Sequence, residues 1–156
     1  MDSLRLTRAQ RLKTPADFRR VYASKQWGGS EHYTFNANVM QNQRVLETKL
    51  EQSQPEYKTV QASLGVAVSK KVSKNAVDRN RIKRQIKEFY RLQQNQLNHE
   101  HGAVELVITA KPSCLAATDQ QRYKSLHELW AKVLKWQRWH LDQSDKHSTT
   151  KTAINN

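Results

Sequence analysis

Residues 69–91 read SKKVSKNAVDRNRIKRQIKEFYR, and they combine a turn, a helical pattern and more than half of the net positive charge of the chain. From Lys70 to Arg91 there are nine lysines and arginines and two acids, a local excess of +7 out of a net +13 for all 156 residues. Charges of one sign repel one another at this density, so the segment favours a polyanionic partner such as nucleic acid.

Apolar residues recur at helical spacing through this segment, which predicts a helix from Asn75 to about Leu97. Its apolar side consists of Ile82, Ile86, Phe89, Gln93 and Leu97. The opposite side presents Asn80, Lys83, Arg84, Lys87 and Arg91. A solvated basic face without a ligand is the alternative. The scarcity of acids one helical turn away and the preceding Lys70, Lys71 and Lys74 argue against it.

The remaining patterns predict an α+β sandwich with helices packed on a sheet. Thr14-Pro15-Ala16-Asp17 begins a short helix that ends near Ser24, and Thr118 to Gln121 forms a capping box at the start of the last helix. Strands are predicted over 32–40, 62–69 and 103–110, with an additional short strand near Gln26 beside a turn at residues 27–30. The predicted buried side chains are Tyr33, Phe35, Ala37 and Val39 of the first of these strands, Val104, Leu106 and Ile108 of the last, and Tyr123, Leu126, Trp130, Val133 and Leu134 of the last helix.

The domain organisation follows from length and composition. Residues 1–142 are expected to form a single domain. A polar stretch at 42–60 interrupts it as a surface insertion, and the last helix ends near Leu141. Residues 143–156 are expected to be a disordered polar tail.

The sequence lacks the signals that are typical of several other classes of protein. The apolar run at 64–68 is far below the roughly 20 residues that a membrane span needs, and no signal peptide is apparent. Cys114 is the single cysteine, so no intrachain disulfide can form, which fits a reducing cytoplasm. A stand-alone nuclease would need clustered carboxylates or histidines, and the one close pair, His99 and His101, lacks further zinc ligands. No metal site is therefore predicted.

Three separated motifs together resemble the protein subunit of bacterial ribonuclease P. They are the Arg-Asn-Arg helix at 79–84 with the strand before it, the run from Arg11 to Tyr22, and the strand 104–110 followed by Lys111-Pro112. The similarity extends over about residues 8–140. It implies an α-β-β-β-α-β-α sandwich of the ribosomal protein S5 domain 2-like type. It also implies a left-handed β-α-β crossover, against the usual rule.

The resemblance also implies a function. In this family a catalytic RNA with bound Mg²⁺, held mainly by the RNA, removes the 5′ leader of precursor tRNA in the cytoplasm. The protein has no catalytic residues, no intrinsic cofactor and no membrane partner. It binds the ribonuclease P RNA and the precursor tRNA. Another basic RNA-binding protein, such as a ribosomal or duplex-binding module, is the alternative.

Transferred by position, two sets of residues would contact RNA. The first set, for RNA binding, is Lys70, Lys71, Arg79, Asn80, Arg81, Lys83, Arg84, Lys87 and Arg91. The second would line a cleft for the single-stranded leader between the basic helix and one sheet face: Phe18, Tyr22, Thr34 and Asn36. Ordinary core packing is the alternative for Phe18 and Tyr22. The polar strand face that carries Thr34, Asn36 and Asn38 indicates hydrogen bonding more than stacking.

Overall fold

The computed structural model describes residue 6 and residues 10–41, 63–97 and 102–154, with side chains except at 40, 41, 102 and 144–154. Over these ranges the elements follow the order α-β-β-β-α-β-α, which confirms the predicted fold class. They are α1 (Pro15–Ala23), β1 (Gln26–Gly29), β2 (Tyr33–Gln41), β3 (Ser63–Ala67), α2 (Ala76–Gln93), β4 (Gly102–Ala110) and α3 (Asp119–Ile154). Short 3-10 turns occupy Gln94–Gln96 and Pro112–Cys114.

The four strands form one mixed sheet in the order β1-β2-β4-β3. Strand β2 pairs antiparallel with β1 and β4, whereas β3 and β4 are parallel and are connected through α2. The outer edge of β3 is partly covered, because the N–H of Leu12 donates to the carbonyl of Leu64 at 3.0 Å. The handedness of the β3-α2-β4 crossover stays a prediction.

Helices cover both faces of this sheet. One face carries Phe35, Leu64 and Leu106, and it packs against the buried sides of α2 and α3 in the main core. Since side chains alternate along a strand, Val107 and Glu105 lie on the other face, beneath α1 and its fully buried Val21. Strand β4 is therefore buried on both faces. The sequence pattern indicated only the side with Leu106, because it does not show that α1 covers the other.

Local capping explains where the helices begin. Thr14 and Asp17 form a reciprocal capping box at α1, with Pro15 in the first helical position as predicted. Asn75 caps α2 by accepting from the N–H of Val77 at 3.1 Å. The predicted capping box of Thr118 and Gln121 is also present at α3.

Two boundaries differ most from the prediction, and smaller differences are that α2 ends at Gln93 instead of near Leu97 and β3 ends at Ala67 instead of Ser69. Strand β1 extends through Gly29, where a turn was predicted. Gly28 permits this pairing, because a Cβ there would lie 2.7 Å from the ring of Phe35. Helix α3 continues to Ile154, so the segment 143–154 is helical where a disordered tail was predicted. No glycine or proline follows Pro112, so nothing in the sequence stops the helix where its apolar pattern ends.

Three side chains that were predicted to be buried differ: Val39 and Leu134 are only half-buried, and Tyr123 is more exposed. Tyr123 is 39% exposed, and Leu129 is buried although the pattern omitted it. Helical periodicity gives the side of a helix on which a residue lies. It does not show how far along the helix the neighbouring elements reach. The insertion at 42–60 and the pair His99 and His101 lie outside the described residues.

Candidate nucleic-acid interface

Helix α2 separates its charge from its apolar side as the sequence predicts. Ile82, Ile86, Phe89 and Tyr90 are buried in the core. Asn80, Arg81, Arg84 and Lys87 are exposed on the outward side, and Lys83 is half-buried. The basic surface is thus held on a rigid helix, because the apolar residues between its cations anchor it to the sheet.

Five of the predicted RNA-binding cations are available to a ligand. Their side chains make no ion pair or hydrogen bond with any residue in the described ranges, and they are Lys70, Lys71, Lys83, Arg84 and Lys87. No described carboxylate forms an ion pair with these side chains, so solvent ions that phosphates can displace balance their charge. We call these five residues the unpaired cation set.

Three predicted arginines instead have partners within the chain. Arg79 donates from Nη1 to the carbonyl oxygens of Ser73 and Lys74, each at 2.9 Å, and so braces the turn before α2. Arg91 pairs with Glu88 on the same helix, and its side chain is only 13% exposed. Neither guanidinium is as free as the sequence suggested, because helical spacing does not show bonds to the preceding turn or to a neighbouring acid.

Arg81 is the third, and its partner lies on another helix. Its Nη2 lies 3.1 Å from Oδ2 of Asp119, and both side chains are about half exposed. Hydrogen bonds from Gln85 and then from Arg122 lower the pKa of Asp119, so it is ionised at neutral pH. Ion pairs this exposed to solvent contribute little to stability, so an RNA phosphate can replace Asp119.

The four predicted leader-cleft residues lie together on the α1 side of the sheet. Phe18 packs over Gly65, where a Cβ would lie 2.8 Å from its ring, and Tyr22 is 42% exposed with its ring centroid 6.5 Å from that of Phe18. Thr34 and Asn36 are half-buried on the same face, because they alternate with the core residue Phe35. The prediction that the basic helix α2 borders this cleft is wrong, however. Helix α2 packs on the opposite face of the sheet, and α1 borders these residues instead.

An exposed tryptophan also lies on this face, and the sequence prediction missed it. Trp27 of β1 pairs in register with Asn36 of β2, so the two side chains project from the same side of the sheet. Trp27 is 71% exposed, the highest value among the large hydrophobic residues of the described ranges. Reading residues 27–30 as a turn concealed it. The available signal was an aromatic residue one position after Gln26, where the short strand was expected.

A buried carboxylate fixes α1 to the sheet. Glu105 is 2% exposed, and both of its oxygens accept from Arg20, at 2.9 Å from Nε and 2.5 Å from Nη2. Asn38 donates to the same carboxylate at 2.9 Å. The hydrogen bond to Glu105 raises the pKa of Arg20, which therefore stays charged at all ordinary pH values. The position of Phe18 and Tyr22 over the sheet depends on this contact, because α1 carries both.

Comparison with known proteins identifies the family. Residues 6–134 match the family model described as Ribonuclease P. The chain belongs to the ribonuclease P protein family. It is 35% identical over 134 residues to the ribonuclease P protein component of Idiomarina loihiensis, covering 85% of this chain and 90% of that protein. It is 31% identical over 135 residues to the ribonuclease P protein component of Vibrio cholerae, covering 85% and 95%.

A solved structure supports the same fold. The structure of Staphylococcus aureus RNase P protein superposes with a TM-score of 0.61 at 23% identity, covering 80% of this chain and 94% of that one. Family membership makes the chain a protein component of the ribonuclease P complex, a partner of ribonuclease P RNA in tRNA processing. The predicted family is confirmed, and the alternative of a ribosomal or duplex-binding module is not supported.

Four carboxylates near the candidate surfaces are already paired with arginines. Glu105 and Asp17 pair with Arg20, Asp119 with Arg81 and Arg122, and Glu88 with Arg91. Mg²⁺ needs oxygen ligands in octahedral arrangement, and these paired side chains do not fit such a site. In the described part of the chain, no helix is both long and apolar enough to cross a membrane.

Proposed function

We propose that the chain binds ribonuclease P RNA through α2 and the preceding turn, and that it holds the 5′ leader of precursor tRNA on the α1 side of the sheet. The RNA subunit performs the cleavage in the cytoplasm, and no protein residue is catalytic. The observation that carries this proposal is the unpaired cation set, fixed on a helix whose other side is buried. Cations in such an arrangement release counterions when they bind phosphates, which drives association with RNA.

The α1 side of the sheet suits a single strand of RNA. Phe18, Tyr22 and Trp27 offer aromatic rings, and stacking on such rings tolerates any base, at about 1–3 kcal/mol per base. Thr34 and Asn36 add hydrogen-bonding groups between the rings. A leader whose sequence differs from one tRNA precursor to the next needs this kind of surface.

Magnesium belongs to the RNA in this proposal. Glu105, Asp17, Asp119 and Glu88 are held by arginines, so the phosphates of the RNA would supply most of the oxygen ligands. The protein would contribute indirectly. Its cations would reduce repulsion between RNA segments and so lower the concentration of Mg²⁺ that cleavage requires.

Reconstitution tests the proposal. Purified protein alone should leave precursor tRNA intact, and it should stimulate a bacterial ribonuclease P RNA at low Mg²⁺. The double variant Arg84→Gln/Lys87→Gln should lose most of this stimulation. Lys135→Gln/Arg138→Gln is the matched control, because it removes the same charge from exposed positions of α3. Cleavage by the protein alone, or equal effects of the two double variants, would contradict the proposal.

Salt dependence gives a second measure of the same surface. If the unpaired cation set neutralises about five phosphates, the logarithm of the binding constant should fall with the logarithm of salt concentration at a slope of roughly −3.5 to −4.5. Arg84→Gln/Lys87→Gln should reduce the steepness by about 1.4 to 1.8, since two contacts are lost. An unchanged slope would exclude α2 from the interface.

A further inference from the structure

A cleft lies on the outward side of α2, next to the start of α3 and the N-terminal residues 6 and 11. Its volume is about 490 Å³. This is within the range of sites that hold ligands of nucleotide size. Its lining includes Arg11, Arg81, Arg84, Lys87, Glu88 and Tyr123. We call it the basic cleft.

The charge in the basic cleft favours a phosphate. Four of its lining residues are cations and one, Glu88, is an acid already paired with Arg91. The side chains of Arg11, Arg84 and Lys87 have no ion pair with any described residue. Guanidinium groups match phosphate oxygens with two parallel hydrogen bonds, so an anion entering the cleft would meet unneutralised donors.

One aromatic ring completes the site. Tyr123 lies on the same side of α3 as the buried Trp130, yet it is 39% exposed because it lines the cleft and not the core. Cations next to an exposed aromatic ring can bind the two parts of a nucleotide, its phosphate and its base. A base in a duplex is paired and stacked, so it is not available to Tyr123.

We propose that the basic cleft binds one unpaired nucleotide of an RNA strand, with its base stacked on Tyr123 and its phosphate held by Arg84 and Lys87. This inference rests on the proposed function of α2 and adds to it a base contact. The cleft is separate from the leader surface, because α2 and α1 lie on opposite faces of the sheet.

Photocrosslinking tests the base contact directly. The probe is an eight-nucleotide single-stranded RNA carrying one 5-iodouridine, irradiated with the full-length protein, and the adducts are mapped by mass spectrometry. An adduct at Tyr123 is expected. Its yield should fall in Arg84→Gln/Lys87→Gln, whereas adducts at Phe18 or Trp27 should persist because they report the leader surface. Absence of an adduct at Tyr123 would overturn the inference.

Binding measurements give an independent criterion. Tyr123→Leu should weaken binding to ribonuclease P RNA about 5- to 100-fold, whereas Tyr123→Phe, which keeps the ring, should stay within twofold of wild type. Trp139→Leu is the control, because Trp139 is an exposed aromatic on the same helix that does not line the cleft. Wild-type affinity in Tyr123→Leu would refute base stacking. Saturation of the cleft by free 5′-AMP at micromolar concentration would refute an RNA strand as the ligand.

The two proposals can fail separately. If the protein stimulates ribonuclease P RNA but gives no adduct at Tyr123, the basic cleft inference fails and the proposed function stands. If an adduct forms at Tyr123 but the protein does not stimulate cleavage, the proposed function fails.

Discussion

Removing Arg20 should destabilise the protein and release α1 from the sheet. Arg20→Met keeps an aliphatic chain of similar length but leaves the carboxylate of Glu105, which is 2% exposed, without its bidentate partner. Breaking a buried ion pair from one side costs about 3–5 kcal/mol. Because the Arg20 side chain is 31% exposed, water can reach the vacated space, and we expect the lower end, about 3 kcal/mol.

Urea unfolding followed by tryptophan fluorescence measures this change, since the chain has four tryptophans. With a slope of about 2 kcal/mol per molar urea, the midpoint should fall by about 1.5 M. Arg19→Met is the matched control, because Arg19 is the exposed neighbour on α1, and its midpoint should change little. The double variant Arg20→Met/Glu105→Gln should recover part of the loss, since the buried charge is removed while Asn38 keeps a hydrogen-bonding partner.

Equal midpoints for Arg20→Met and Arg19→Met would refute this reasoning. So would a double variant less stable than Arg20→Met alone, because neutralising an unpaired buried carboxylate should relieve its desolvation.

Three further predictions concern single residues. Asp119→Asn should strengthen RNA binding up to about fivefold in filter-binding assays at neutral pH, because it frees Arg81 from its ion pair. The lowered pKa of Asp119 keeps the wild-type side chain charged and paired until the pH falls through that pKa. Weaker binding of the variant would mean that Asp119 positions Arg81 for RNA. Cys114 should react with a disulfide reagent at pH 8 only after unfolding, because its thiol is buried and burial raises the pKa of that thiol above the ordinary 9.0. Rapid reaction of the native protein would contradict the burial of Cys114. Phe18→Leu should weaken binding of leader-containing precursor tRNA roughly 5- to 100-fold with little effect on mature tRNA, and equal loss on both substrates would indicate a folding defect.

The sequence by itself determined the features of this protein that depend on neighbours within about two helical turns. The buried side of α2 follows from the spacing of Ile82, Ile86 and Phe89, and the helix starts follow from Thr14, Asn75 and Thr118. These interactions join residues two to seven positions apart, so helical periodicity and capping rules predict them. The basic surface was predictable for the same reason.

Only the tertiary structure decided which residues meet across the sheet. Arg20 and Glu105 are 85 positions apart in the chain, and Arg81 and Asp119 are 38 apart. An alternating pattern shows that Glu105 and Leu106 point to opposite faces, but not which helix covers each face. The strand order β1-β2-β4-β3 brings α1 over Glu105 and leaves Trp27 exposed beside Asn36. Strand order is set by the packing of the whole chain. For that reason no local sequence pattern could predict it.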